Sequence, residues 1–210
     1  MKGAKMKKLL LAIIVLGLAG ATALAADAPF KAGATLENLQ AAFNGESNAH
    51  ARYLAFAQQA DKEGYGKAAS LFRAAAKAEE IHARNHADVI KNMGGTPEAK
   101  IEAPVVASTK QNLEAAIKGE TYERDVMYPA FLKAARADRN KDAIQTFNYA
   151  KTAEAEHAKL YAEALANLPQ MKGAGQEYYV CTVCGYTTTK VDFSKCPSCF
   201  SPKHKYEKVS

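Results

Sequence analysis

Two Glu-x-x-His pairs, Glu79 with His82 and Glu154 with His157, stand in a chain that also places Glu46, Glu120 and Glu123 at matching offsets. Residues three apart share one face of an α-helix, so each pair can aim a carboxylate and an imidazole at one point. The offsets repeat: Glu46 precedes Glu79 by 33 residues, and Glu120 precedes Glu154 by 34. A helix that supplies a Glu, followed by one that supplies Glu-x-x-His, thus occurs twice, which is the ligand pattern of a two-metal carboxylate site. A lone Glu in an Ala-rich helix usually faces solvent; two pairs in register, each preceded by a suitably placed Glu, reverse that reading. Buried carboxylates are costly unless paired or metal-bound, so five glutamates and two histidines converging inside a bundle require cations. Imidazole with several carboxylates suits a redox-capable first-row metal, and iron suits two adjacent metals that share bridging carboxylates. His50, four after Glu46, and His86, four after His82, are expected in polar or packing roles.

Cys181-x-x-Cys184 and Cys196-x-x-Cys199, eleven residues apart, form a second constellation. In an exported protein two disulfides would be the plain alternative. Paired Cys-x-x-Cys turns favour one shared metal, because both sulfurs of each turn point to one centre. Tetrahedral thiolate sites accept zinc or iron.

The elements that must hold these residues are legible in outline. A helix is expected from about Leu36 to Asp61, stopped at Gly64, and a second from about Lys67 to Met93, broken by Gly94-Gly95-Thr96-Pro97. The segment from Gly94 to Val106 reads as a long crossover. A third helix is expected from Ser108 to Ala137, capped by Ser108 or Thr109 and kinked at Pro129. A fourth runs from about Lys141 to Leu168, before Pro169. Four long helices with two short turns and one long crossover make an all-α, ferritin-like four-helix bundle over residues 26–169. Residues 170–176 read as a linker. Residues 177–210 hold all four cysteines and six aromatics, a unit too small to be stabilised by its core alone, so a β-rich metal knuckle is expected there.

Lys2, Lys5, Lys7 and Lys8 precede an apolar run from Leu9 to Ala19, and Ala23-Leu24-Ala25 offers a small-x-small cleavage site. That layout predicts a signal peptide over residues 1–25 and a periplasmic or otherwise exported protein, with an uncleaved membrane anchor as the plain alternative. Its removal leaves 24 basic against 22 acidic residues and lowers the formal charge from +6 to +2. The remaining Lys and Arg are interspersed with acids and form no basic cluster with aromatics, which excludes a nucleic-acid surface.

Beyond residue 25 the chain resembles the rubrerythrins over essentially its whole length. The resemblance is carried by Gly45-Glu46-Ser47 with Arg52-Tyr53, Glu79-x-x-His82, Gly119-Glu120-x-x-Glu123 followed by Met127-Tyr128-Pro129, and Glu154-x-x-His157. Cys181-x-x-Cys184-Gly185-Tyr186 and Cys196-Pro197-x-Cys199 are similar to the family's rubredoxin-like tail. The resemblance implies a di-iron site with Glu79 and Glu154 bridging, Glu46 and Glu120 terminal on opposite irons, and His157 on the second iron. On the first iron it implies an exchange between Glu123 when oxidised and His82 when reduced. Tyr53 and Tyr128 would donate hydrogen bonds to the carboxylates, and Cys181, Cys184, Cys196 and Cys199 would hold one iron, with zinc as a possible substitute. The implied activity is reduction of hydrogen peroxide to water, with electrons relayed through the tail. A ferroxidase that feeds iron storage is the rival enzyme, and an electron-carrying or metal-binding protein the non-enzymatic one. The signal peptide departs from the family pattern and points to an extracytoplasmic electron-donor protein, for which a c-type cytochrome would fit. A homodimer through helix faces is expected, with halves able to swap across the crossover.

Overall fold

The computed structural model describes residues 32–210; the predicted signal peptide lies outside them. Helix α1 spans Thr35–Lys62. Ala34, at its N-cap, has no capping side chain, and the Glu37 carboxylate instead accepts from the Ala34 N–H at 3.0 Å. The helix stops where expected: Gly64 adopts φ +77°, and the Tyr65 N–H reaches back to the Ala60 carbonyl at 2.8 Å. Helix α2, Gly66–Asn92, stops in the same manner at Gly94, with φ +80°. The crossover is pinned along α1 by Asn44 and Asn48, whose side-chain carbonyls each accept at 2.8 Å from the backbone N–H of Lys100 and Glu102. These residues, one turn apart on α1, form a polar rail that gives an extended segment the partners it cannot find internally.

Ser108 caps helix α3, Thr109–Tyr122, and exchanges hydrogen bonds with Gln111 in a capping box. The expected single helix to Ala137 is interrupted. Residues Glu123–Met127 form a π-helical turn, and helix α4, Tyr128–Ala137, follows. The break thus precedes Pro129 rather than falling on it. A proline inside an α-helix lacks the N–H for the preceding turn, and its ring crowds the carbonyl four residues back. Widening that turn, so that the Tyr128 N–H bonds to the Glu123 carbonyl five residues back, lets Pro129 enter near the start of α4, where its missing donor costs little. Asn140 caps helix α5, Lys141–Ala166, accepting from the Ala143 N–H at 2.9 Å. Leu168–Met171 then form a 3-10 turn where the fourth helix was expected to end.

Helix α1 packs chiefly on α2, and α3 and α4 on α5. Two apolar clusters fill the bundle: one around Tyr53, Phe56, Phe72 and Tyr161, the other around Leu39, Tyr128, Phe131 and Phe147. Along the chain Glu46, Glu120 and Glu154 each fall between residues of the two clusters, while Glu79 lies among residues of the first, between Ala78 and Ile81. Among the described residues no helix is long and apolar enough to cross a membrane.

The tail is a small antiparallel sheet in the order β2-β1-β3, from strands Tyr178–Cys181 (β1), Thr187–Thr188 (β2) and Tyr206–Val209 (β3). It sits on the bundle. Tyr178 and Val180 complete the first apolar cluster, and Arg84 and Asn85 of α2 each donate at 2.9 Å, to the carbonyls of Thr182 and Val183. The stretch expected as a linker packs along the α1–α2 corner, where the Gly173 N–H donates to the Gly64 carbonyl at 3.0 Å.

Candidate metal centre

The four helices bring both Glu-x-x-His pairs and two of the further glutamates together. Glu46, Glu79, His82 and Glu154 present ligand atoms within 4.8 Å of one another, as do Glu79, Glu120, Glu154 and His157. Glu79 and Glu154 belong to both groups, as carboxylates shared by two cations must. All six residues are buried to within 1% of full exclusion from solvent. Glu123, on the π turn, stands outside both groups but close enough to feel them. Burial raises its carboxyl well above the ordinary range, the carboxylates of Glu120, Glu154 and Glu79 add to this, and the Arg52 guanidinium opposes it.

The orientation of the donor atoms tests the fit to metal. The Nδ1 of His157 lies 2.8 Å from Glu154 Oε2, yet neither atom has a hydrogen-bond partner of acceptable geometry. Glu46 Oε2, Glu79 Oε1, Glu120 Oε2 and Glu154 Oε1 are likewise buried and unpartnered. Atoms that approach each other without bonding are aimed at a common point. Buried away from bulk solvent, such orphans are too costly to keep, so the set fits cations. Without them protons must substitute. Burial would lower His82, but the Glu154 and Glu79 carboxylates outweigh it and push it up to about 10. Burial, with Glu79 and Glu154 nearby, pushes Glu120 up to about 8. Glu79 is held well below the ordinary carboxylate range despite its burial, by the imidazoles of His157 and His82 beside it.

The two predicted tyrosines meet carboxylates of the site: the Tyr53 hydroxyl donates to Glu120 Oε1, and the Tyr128 hydroxyl to Glu46 Oε1. Behind Tyr128 lies a chain the sequence reading did not draw. His86 Nε2 is 3.1 Å from the Tyr128 oxygen, and its Nδ1 is 2.9 Å from Thr146 Oγ1. Tyr128 spends its one proton on Glu46, so His86 donates from Nε2 and accepts from Thr146 at Nδ1. Burial lowers His86 to about 3, which keeps it neutral for this role. Its position, one turn after His82, was the available signal. Tyr161 was also missed: it is buried with an unpartnered hydroxyl, its ring 5.5 Å from that of Tyr53. His50 has the expected polar role, with Nδ1 2.8 Å from the Ala76 carbonyl.

The tail closes the outward face of both histidines. His82 Nε2 lies 3.0 Å from the Cys184 carbonyl, and His157 Nε2 lies 3.1 Å from Thr187 Oγ1. Gly185, at φ +77°, is what permits the contact, since a Cβ there would fall 2.2 Å from His82 Nε2. Beneath it the four cysteines are free thiols, with Cys181–Cys199 and Cys184–Cys196 sulfurs 3.7 and 3.6 Å apart. A disulfide needs about 2.0 Å. A tetrahedral ion with metal–sulfur bonds of about 2.3 Å sets its sulfurs about 3.8 Å apart, so the set fits one metal. The Tyr206 hydroxyl donates to Cys196 Sγ at 3.1 Å, as suits a thiolate.

A ferritin-like bundle with two carboxylate–histidine groups that share Glu79 and Glu154, capped by a four-cysteine knuckle, defines a class of two-centre metalloprotein. The rubrerythrin family model matches residues 37–165, and the chain belongs to the rubrerythrin family. It is 40% identical to nigerythrin of Nitratidesulfovibrio vulgaris over 182 residues, 86% of this chain and 89% of that protein. Rubrerythrin-2 of Clostridium acetobutylicum is 38% identical over 176 residues, 82% of this chain and 95% of that protein. The all-ferrous structure of nigerythrin superposes with a TM-score of 0.80 at 36% identity, covering 96% of this chain and all of that one. The donor sets described above fit a di-iron centre and a rubredoxin-like centre.

Proposed function

We propose that the protein reduces hydrogen peroxide to two waters, with two electrons and two protons consumed per peroxide. The observation that carries this reading is the contact between the two centres: the carbonyl of Cys184 lies 3.0 Å from Nε2 of His82. A two-metal site joined by a hydrogen bond to a cysteine of a second metal site would have a built-in electron supply, which a reductase needs and a ferroxidase does not. Iron held by the bundle's carboxylates and histidines would supply the pair of electrons that an O–O cleavage needs, and iron held by the four cysteines would supply electrons singly.

The residues around the site do the rest. Glu79 and Glu154 are the proposed bridges, Glu46 and Glu120 the terminal ligands, and Glu123 and His82 the exchanging pair. The π turn suits exchange, because its backbone already departs from α-helical register at Glu123. Tyr53 and Tyr128 hold protons at the two terminal carboxylates, and Thr146 and His86 support Tyr128 from behind. The apolar clusters on either side exclude water. Export, read from residues 1–25, would place the donor outside the cytoplasm, where a c-type cytochrome fits.

The test uses full-length protein with iron in the bundle and either iron or redox-silent zinc in the tail. Both forms, chemically reduced, should consume about one peroxide per iron pair in a single turnover, since two irons store two electrons. Only the all-iron form should sustain turnover with a protein donor. Equal steady-state rates would show that the tail is not a relay.

A further inference from the structure

We propose that Thr187, a tail residue, is a positioning residue for the bundle's di-iron site: its hydroxyl fixes His157 with the proton on Nε2 and the Nδ1 lone pair facing the carboxylates. The inference rests on the reading of His157 as a ligand, and it assigns to the tail a role separate from electron supply.

The argument is a count of protons. Thr187 Oγ1 lies 3.1 Å from the Gly185 carbonyl and 3.1 Å from His157 Nε2. A carbonyl can only accept, and a hydroxyl has one proton to give. Once that proton is on the Gly185 oxygen, the contact to His157 stands only if the imidazole donates. In a neutral ring, a proton on Nε2 leaves the lone pair on Nδ1, the atom 2.8 Å from Glu154 Oε2 and 3.4 Å from Glu79 Oε1. If the hydroxyl turned to donate to Nε2, the ring proton would move to Nδ1 and point where a cation must sit. Thr187 and His157 are both fully buried, so water does not compete for either bond.

The arrangement at His82 shows why Thr187 matters. There the outward N–H meets a backbone carbonyl, that of Cys184, which any residue would supply. At His157 the acceptor is a side chain, three residues beyond Cys184 and on strand β2. Only Ser or Thr fits a buried, short, hydroxyl-bearing position there, and a β-branched residue suits the strand. An acceptor behind a metal-bound imidazole raises its basicity and holds the ring plane, and losing one typically costs about 10–100-fold in metal affinity. The iron site of the bundle is therefore completed by a residue of the tail.

The experiment uses full-length protein loaded with zinc at every site, so that NMR reads the imidazole directly without iron or peroxide. In the parent, His157 should show an Nε2–H proton that is slow to exchange. Thr187→Val keeps the shape and removes the acceptor. It should speed Nε2–H exchange and weaken zinc retention in the bundle by about 10–100-fold against a chelator. Thr187→Ser should restore both. A purely structural Thr187 would change the unfolding midpoint of the Val variant and leave tautomer, exchange and zinc affinity at parent values. That result overturns the proposal, as does an Nε2–H in the parent that exchanges as freely as that of an exposed imidazole, and Thr187→Ala, read in the same way, decides if the Val variant does not fold. Because no peroxide is consumed, a failure of the peroxidase reading leaves a separate trace.

Discussion

Gly185 and Gly64 have the same backbone conformation, φ +77°, in opposite surroundings, and replacing each by Ala separates the cost of the conformation from the cost of the contact. A Cβ at Gly64 would meet nothing within 4 Å. Gly64→Ala should therefore pay only for a left-handed L-residue, about 1–2 kcal/mol, offset by up to about 1 kcal/mol from the smaller entropy of the unfolded Ala chain. At Gly185 the new methyl would fall 2.2 Å from Nε2 and 2.8 Å from Cδ2 of His82. The ring cannot swing away: it is fully buried, and its Nδ1 is hydrogen-bonded to Glu79 Oε2 at 2.9 Å.

The tail must lift instead. Lifting removes the His82 bond to Cys184, the His157 bond to Thr187 and the Asn85 bond to Val183. At about 1 kcal/mol net for each hydrogen bond, Gly185→Ala should be destabilised by about 3 kcal/mol more than Gly64→Ala. Urea unfolding of the two full-length variants, followed by far-UV circular dichroism, measures the difference. If the two midpoints agree to within about 0.5 kcal/mol after conversion, the tail does not rest on His82, and the path between the two centres drawn above is wrong.

Tyr128→Phe removes the donor to Glu46 and leaves His86 Nε2 without its acceptor. The expected result is about 10–100-fold weaker metal binding, read by chelator competition; parent-like affinity would show that the tyrosine only packs. The metal-free chain should also lose stability as pH rises. In the folded state His82 moves from 6.5 up to about 10 and Glu120 from 4.5 up to about 8, so both bind protons more tightly than in the unfolded chain. Their contribution is complete below the unfolded values and fades as pH rises through about 8 and then about 10. His86, lowered from 6.5 to about 3, acts in the opposite sense, its contribution fading as pH falls below 6.5. Thermal melts from pH 7 to 10 should decline for metal-free protein and stay flatter for loaded protein, whose ligands are already deprotonated; parallel curves would remove the cation from the argument.

The convergence of these carboxylates and imidazoles was legible because helices are periodic. Glu-x-x-His is a statement about one helix face, and the repeated offset between the two halves, 33 and 34 residues, says that two such faces meet. Glycine stops at Gly64 and Gly94 and the Ser108 cap were legible for equally local reasons. The π turn was not. Proline predicts strain near residue 129, but whether a helix kinks at the ring or widens one turn earlier depends on what the widened turn gains. Here the turn opens at Glu123, the carboxylate that stands apart from both ligand groups, and that gain involves residues on three other helices.

The docking of the tail was further out of reach, and the reason lies in Gly185. A glycine after the second cysteine of a Cys-x-x-Cys turn is already explained by its positive φ, so the sequence offers no surplus signal for a second duty. That second duty is steric: the missing Cβ leaves room for a histidine 103 positions earlier in the chain. His82 carries no mark of it either, since the face it gives to Cys184 is the one opposite its metal-facing nitrogen. Each residue satisfies a local rule that hides the non-local one. The reading of the tail as a separate knuckle on a linker follows from that concealment. It fails to anticipate that removing the tail would strip both histidines of the acceptors that orient them, and would open the first apolar cluster where Tyr178 and Val180 complete it against α2.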